Sequence, residues 1–202
     1  RLSKFLINYE IFKKIKNYKG SIVECGVFKG TSFSRFAMLR ELIGKSKSNK
    51  LIAFDVFSDK FPDTKFKNEK KQRKHWINTA GGSSIAINQL TKIFKKKKIK
   101  NFKLIKGDVL QTIPNFVKKN PNLKIALLNV DIDFVETTQC VLDNLYNKVI
   151  KGGIILFDNY EGVGTGGTFY KGETDTIKRF LKKKNKKIIK FPFFNRPSYI
   201  VK

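Results

Sequence analysis

Cysteine is scarce in this chain of 202 residues. Cys25 and Cys140 make neither a metal-ligand spacing nor a disulfide framework, and both read as ordinary buried thiols. No run approaches the roughly 20 apolar residues of a membrane span. The first residues lack the basic-then-apolar layout of a signal peptide, so the expectation is a soluble, cytoplasmic protein. Acidic residues are few as well, 16 against 43 lysines and arginines, for a net charge of +27. Such a charge normally points to nucleic acid or an anionic membrane. Yet only six of the 43 are arginine (Arg1, Arg35, Arg40, Arg73, Arg179 and Arg196), the residue used where planar, bidentate contacts to phosphates or bases are made. The charge is lysine charge, and it accompanies abundant Asn, Ile and Phe, as A- and T-rich coding DNA produces. A nucleic-acid partner is therefore disfavoured. Also missing is the G-x-G-x-x-G turn of dinucleotide dehydrogenases, which excludes the simplest NAD reading.

What is present is a repeated alternation of short apolar strands and helical segments. Residues 3–18 place Phe5, Leu6, Tyr9, Phe12, Ile15 and Tyr18 at helical spacing. Buried strands are expected at Ser21–Val23, Lys50–Phe57, Phe102–Val109, Lys124–Val130 and Gly153–Phe157, with helices at Ser32–Leu39, Ser84–Lys96, Leu110–Lys119, Val135–Tyr146 and Glu173–Lys184. Lys187–Phe193 and Ser198–Lys202, separated by Phe194-Asn195-Arg196-Pro197, read as a closing hairpin. The pattern is that of an α/β, Rossmann-like, doubly wound sheet of seven strands in one domain spanning 1–202, mostly parallel with a C-terminal antiparallel hairpin and helices on both faces. Residues 58–82 show no clean period and hold the single His75, the single Trp76 and a dense basic stretch; they read as an irregular insertion or lid.

Ligands of open α/β sheets sit beyond the carboxyl ends of the strands. There the first five strands deliver Glu24, Asp55, Asp108, Asp131 and Asp158. Any one of them could be a helix cap. Five in register, in so basic a chain, suit a ligand carrying an ammonium, a sulfonium and a ribose diol better than a pyrophosphate.

Glu24-Cys25-Gly26-Val27-Phe28-Lys29-Gly30 resembles E-x-G-x-x-x-G, the first motif of the class I S-adenosylmethionine-dependent methyltransferases. The resemblance implies that Glu24, Gly26 and Gly30 surround the methionine part of S-adenosylmethionine, that Asp55 takes the ribose hydroxyls, and that Asp108 lies beside the adenine, with Val27, Phe28, Thr31, Ser32, Val109 and Asp131 completing the cofactor set. Asp131-Ile132-Asp133-Phe134-Val135-Glu136-Thr137-Thr138 and Gly152-Gly153-Ile154-Ile155-Leu156-Phe157-Asp158-Asn159-Tyr160 are similar to D-x-D-x-Y-x-S-T and GG-(apolar)-DDY of the macrocin O-methyltransferase (TylF) family, with Val135 in place of the tyrosine and Asn159 in place of the second aspartate. That family methylates sugar hydroxyls and uses magnesium. Asp131, Asp158 and Asn159 would be its all-oxygen ligands, a set suited to a hard cation.

The expected reaction is metal-assisted transfer of a methyl group to a hydroxyl of a sugar, nucleotide-linked or glycosidic, or of a similar polyol. Asp131 would act at the reacting centre, and Asp133 and His75 are the candidate bases. The glycine-rich stretch 162–167 is expected to contact the acceptor, and the basic segment Lys65–Trp76, with Lys65, Lys67 and Lys70, an anionic carrier such as a nucleotide diphosphate. A homo-oligomer is compatible with this reading. The rival readings are a nucleic-acid methyltransferase using the basic surface and a catalytically silent binding protein on a methyltransferase scaffold.

Overall fold

The structure is a computed structural model and describes residues 2–43, 48–58, 61, 63–162 and 171–202. After helix α1 (Leu2–Ile15) the chain runs β1 (Ser21–Cys25), α2 (Thr31–Leu42), β2 (Leu51–Asp55), α3 (Lys67–Ala80), α4 (Ile87–Lys96), β3 (Phe102–Lys106), α5 (Val109–Lys119), β4 (Ile125–Val130), α6 (Val135–Leu145), β5 (Val149–Phe157), α7 (Lys171–Lys184), β6 (Ile189–Phe191) and β7 (Phe194–Val201). The sheet order is β3-β2-β1-β4-β5-β7-β6; the first five strands are parallel, and β7 pairs antiparallel with both β5 and β6.

The strands read as continuous apolar runs because both faces are covered. The two-residue period divides their side chains between two cores. Val23, Cys25, Phe54, Leu128 and Phe157 pack with residues of α5, α6 and α7, whereas Ile22, Leu51, Ala53, Leu127 and Leu156 pack with those of α1, α2 and α4. Each fully buried Ile, Leu or Phe contributes roughly 1.5–3 kcal/mol. On the second face the fully buried Arg40 donates to the carbonyls of Asn49, Lys100 and Asn101 at 2.6–3.0 Å, which ties the end of α2 to the entrances of β2 and β3.

β1 and β4 are neighbours although β2 and β3 intervene in sequence, so the order reverses between them, and a crevice opens there at the carboxyl edge. Cys25 pairs with Val130, which brings Gly26 against Asp131: the Asp131 N–H donates to the Cys25 carbonyl at 2.9 Å, and the Asp158 N–H donates to that of Val130 at 3.0 Å.

Three sequence expectations change. Within the supposedly irregular span 58–82, residues 67–80 form α3. Its pattern is hard to read because its one buried residue is Glu69 rather than an apolar stripe, and Gly81 ends it in the left-handed conformation, φ +79°. The helix expected from Ser84 begins at Ile87, because Ser84 and Ile85 are bound to the turn after β1 instead. The hairpin turn expected at 194–197 lies inside β7, whose ladder with β5 includes Ser198 to Val201. Residues 163–167 of the expected acceptor loop fall outside the described residues.

Candidate active site

The turn after β1 is shaped by Asp55. Its Oδ2 accepts the N–H groups of Val27 at 2.7 Å and Phe28 at 3.0 Å; its Oδ1 accepts the Phe57 N–H at 2.8 Å and the Ser84 hydroxyl at 2.7 Å. A carboxylate offers about four lone-pair positions, and all four are used. Asp55 therefore organises the turn, and contact with a ribose diol requires it to exchange one of these bonds. Gly26 has φ +87°, and a Cβ there would overlap the Asp131 carbonyl. Only glycine lets the turn pass so close to the end of β4.

Beyond the turn a cavity opens with two unlike walls. The apolar wall includes Phe28, Phe54, Phe61, Trp76, Val109 and Phe134. Trp76, on α3, packs 4.9 Å from the Phe28 ring and edge-on, 4.7 Å, to Phe61. The helix is held over the cavity by Glu69, whose carboxylate accepts the Val135 N–H at the start of α6 at 2.8 Å and the Thr64 hydroxyl at 2.6 Å. His75 is exposed one position away and does not line the cavity: a step of one residue turns a helix by about 100°, so only Trp76 faces inward. This removes the geometric case for His75 as the base.

The polar wall comprises Asp131, Asp133, Asp158, Asn159, Lys4 and Arg196. The Asn159 amide nitrogen faces Asp133 Oδ1 at 3.1 Å, Asp131 Oδ1 at 3.3 Å and the fully buried Glu173 Oε2 at 3.4 Å, while Arg196 donates to the Asn159 oxygen at 2.9 Å. Lys4 donates to Asp158 Oδ2 at 2.6 Å. Burial, then the charge of Asp158, raises the pKa of Asp131 well above the usual carboxylate range, with Lys4 opposing. The same two causes push Asp133 up to about 7, with Arg196 opposing. Glu173 is raised well above its ordinary value by burial, then by Asp133 and Asp131.

The expected cation ligands do not fit a metal as arranged. Among the described residues no group of three or more His, Cys, Asp or Glu side chains has metal-holding geometry. An ammonium already sits on Asp158, and Asn159 turns its nitrogen, which cannot ligate, toward the carboxylates.

Of the residues expected to hold the cofactor, Gly26, Phe28, Asp55, Val109 and Asp131 line this cavity. Glu24 lies beneath the turn, fully buried, and accepts the Ser32 hydroxyl at 2.6 Å; burial raises its pKa well above the usual range. Val27 is buried in the core of the second face, Gly30 precedes α2, and Thr31 is exposed on the first turn of α2. Asp108 caps α5, accepting the Leu110 N–H at 2.9 Å, and does not line the cavity. Sequence reasoning missed Lys4, Arg196, Glu173 and Glu69. Their residue types are ordinary, and each reaches the site from an element remote in sequence.

A glycine turn beside the sheet crevice, aromatic side chains and a cluster of carboxylates thus line one cleft. The sequence profile described as macrocin O-methyltransferase (TylF) matches residues 9–183.

The chain belongs to the macrocin O-methyltransferase family.

It is an S-adenosylmethionine-dependent methyltransferase of class I fold. No curated protein sequence matches it. Among solved structures it is similar to apo CalS11, a TDP-rhamnose 3'-O-methyltransferase of calicheamicin biosynthesis, with 22% identity, a TM-score of 0.69 and coverage of 99% of this chain and 79% of that one. It is also similar to the O-methyltransferase NovP, with 18% identity, a TM-score of 0.80 and coverage of 98% and 79%. MycE of mycinamycin biosynthesis, solved with Mg, SAH and mycinamycin VI, has 10% identity, a TM-score of 0.54 and coverage of 97% of this chain and 48% of that one. At these identities the likeness is one of fold. No described helix is long and apolar enough to cross a membrane.

Proposed function

We propose that this family member methylates a hydroxyl of a sugar or similar polyol, carried on a nucleotide or present as a glycoside. The observation that carries this reading is that one cavity is lined both by the Gly26 turn and by the Asp133 carboxyl, whose pKa of about 7 suits a base at neutral pH. S-adenosylmethionine, when bound, supplies an electrophilic methyl group on a sulfonium.

The chain's own task is alignment and proton removal. The Gly26–Phe28 turn, braced by Asp55, holds the donor end, and Asp131, packed directly against Gly26, joins that turn to the polar wall. Asp133 in its ionised form would accept the proton that the acceptor hydroxyl gives up as it is methylated. Phe28, Phe61 and Trp76 exclude water and offer flat apolar surface to the adenosine or to a sugar face.

An anionic carrier is favoured by the exposed lysines of α3, among them Lys67, Lys71 and Lys74. Lys65 and Lys70 already face acidic partners, Glu136 at 3.0 Å and Asp63 at 3.6 Å, though exposed pairs of this kind bind weakly. The test is calorimetric titration with S-adenosylmethionine, followed by methyl transfer to a panel of nucleoside diphosphate sugars and the corresponding free glycosides. Cofactor binding with transfer to one class names the acceptor. Binding without transfer to any hydroxyl in the panel would remove the sugar reading.

A further inference from the structure

The cation question has a specific answer in the side chains around Asp158. Lys4 reaches across from the first turn of α1, and its ammonium lies 2.6 Å from Asp158 Oδ2, the carboxylate expected to bind metal. The lysine side chain is 29% exposed and that of Asp158 is 11% exposed, so the pair sits largely out of bulk water, where an opposite charge is held more firmly than on an open surface.

The neighbouring position is closed to a metal in a second, independent way. Arg196 can only donate, so the Asn159 oxygen must face it, and the amide nitrogen is left facing Asp131, Asp133 and Glu173. Turning the amide to offer its oxygen to a cation would set its N–H groups against the guanidinium. Of the two carboxylates that would hold a metal, Asp158 is met by an ammonium and Asp131 by an amide N–H. The remaining Glu173 oxygen, Oε1, is buried without a hydrogen-bond partner among the described residues, so the cluster has carboxylate capacity to spare once the cation is removed.

We propose that this chain fills the cation position of its own active site with Lys4, locked by the Arg196–Asn159 pair, and works without a divalent metal. An ammonium carries three donors, and the described residues take one of them, at Asp158; the others are available to the acceptor hydroxyl oxygen. Lys4 lines the cavity and is thereby placed to orient that oxygen and to stabilise its developing negative charge. The catalytic consequence rests on the proposed hydroxyl methylation; the occupancy of the cation position does not.

The test titrates manganese(II) into the full 202-residue chain and follows the free aqua ion by electron paramagnetic resonance. It compares wild type with Lys4→Met and with the double variant Lys4→Met/Asp158→Asn. The expected result is a free manganese signal with wild type, one bound ion per chain in Lys4→Met with affinity higher by about tenfold or more, and loss of that ion in the double variant. Wild type binding manganese as tightly as Lys4→Met, with loss in the double variant, would overturn the proposal by showing that the lysine yields to metal. A Lys4→Met variant that binds none would overturn it by showing that the ion pair merely tethers α1. S-adenosylmethionine titrated in parallel separates the two questions: wild type failing to bind it sinks the methyltransfer reading and leaves the manganese result standing.

Discussion

The two sides of the crevice are built on opposite electrostatic principles. On the β1–β2 side the one carboxylate that lines the cavity, Asp55, has each lone-pair position matched to a donor, and the turn it organises has its shape set by backbone geometry. On the β4–β5 side Asp131, Asp133 and Glu173 crowd around the Asn159 amide, Asp158 is met by Lys4 and Arg196 holds the amide oxygen, and Asp131, Asp133 and Glu173 hold their protons above the normal range. A satisfied group resists change, which is what a donor cradle needs. In the frustrated cluster Asp133, pushed up to about 7, gives up or takes a proton near neutrality, which is what the base of the proposed reaction needs.

The comparison breaks most visibly at Asp133. Asp133→Asn is expected to lower kcat by about 10²- to 10⁴-fold, the usual worth of a positioned base, with little change in S-adenosylmethionine affinity. In wild type the pH profile of kcat should rise with a midpoint around pH 7, where Asp133 ionises, and level off above it, and the variant should lose that limb. The same group bears on stability. Its pKa is raised in the fold from roughly 4 in the unfolded chain, so the folded state holds the extra proton between the two values, and stability should fall as pH rises from about 4 to 7. Denaturant titrations of the asparagine variant across that range should show a shallower slope.

The next effect belongs to the satisfied side. Gly26→Ala sets a Cβ into the Asp131 carbonyl at a φ that L-residues rarely adopt. Calorimetry should show S-adenosylmethionine affinity reduced by about a hundredfold, since the turn must move away from β4. Asp55→Ala leaves four donors without their acceptor and should cost about 3 kcal/mol of stability in chemical denaturation, together with weaker cofactor binding. The smallest change is expected for Trp76→Ala, a loss of about tenfold in kcat/KM from removing aromatic contact, with stability nearly unchanged because the ring is half-exposed over the cavity. A large stability loss in that variant would recast Trp76 as a core residue.

The alternation of apolar strands and amphipathic segments was enough to place the parallel sheet, and the carboxylates at strand ends were enough to pick out the edge at which the cavity opens. Helix α3 escaped because a helix that buries a glutamate leaves no hydrophobic period to read. The strand-end rule also treated five carboxylates alike, although Asp108 is a helix cap, Glu24 lies under the floor and Asp55 is saturated. Those roles depend on which donors stand opposite, and donors come from elsewhere in the chain.

Local sequence thus determined what short-range physics controls: strands where β-branched and apolar residues run together, the turn where glycines allow positive φ, and the carboxyl-end placement of Asp131, Asp133 and Asp158. Tertiary structure alone decided which charges meet. Lys4 lies 154 positions from Asp158 and Arg196 lies 37 from Asn159, and no local pattern marks either partner. Proton affinity and cation preference in this cluster follow from burial and from the distances between charges, quantities that exist only once the helix, the sheet and the closing strand have packed together.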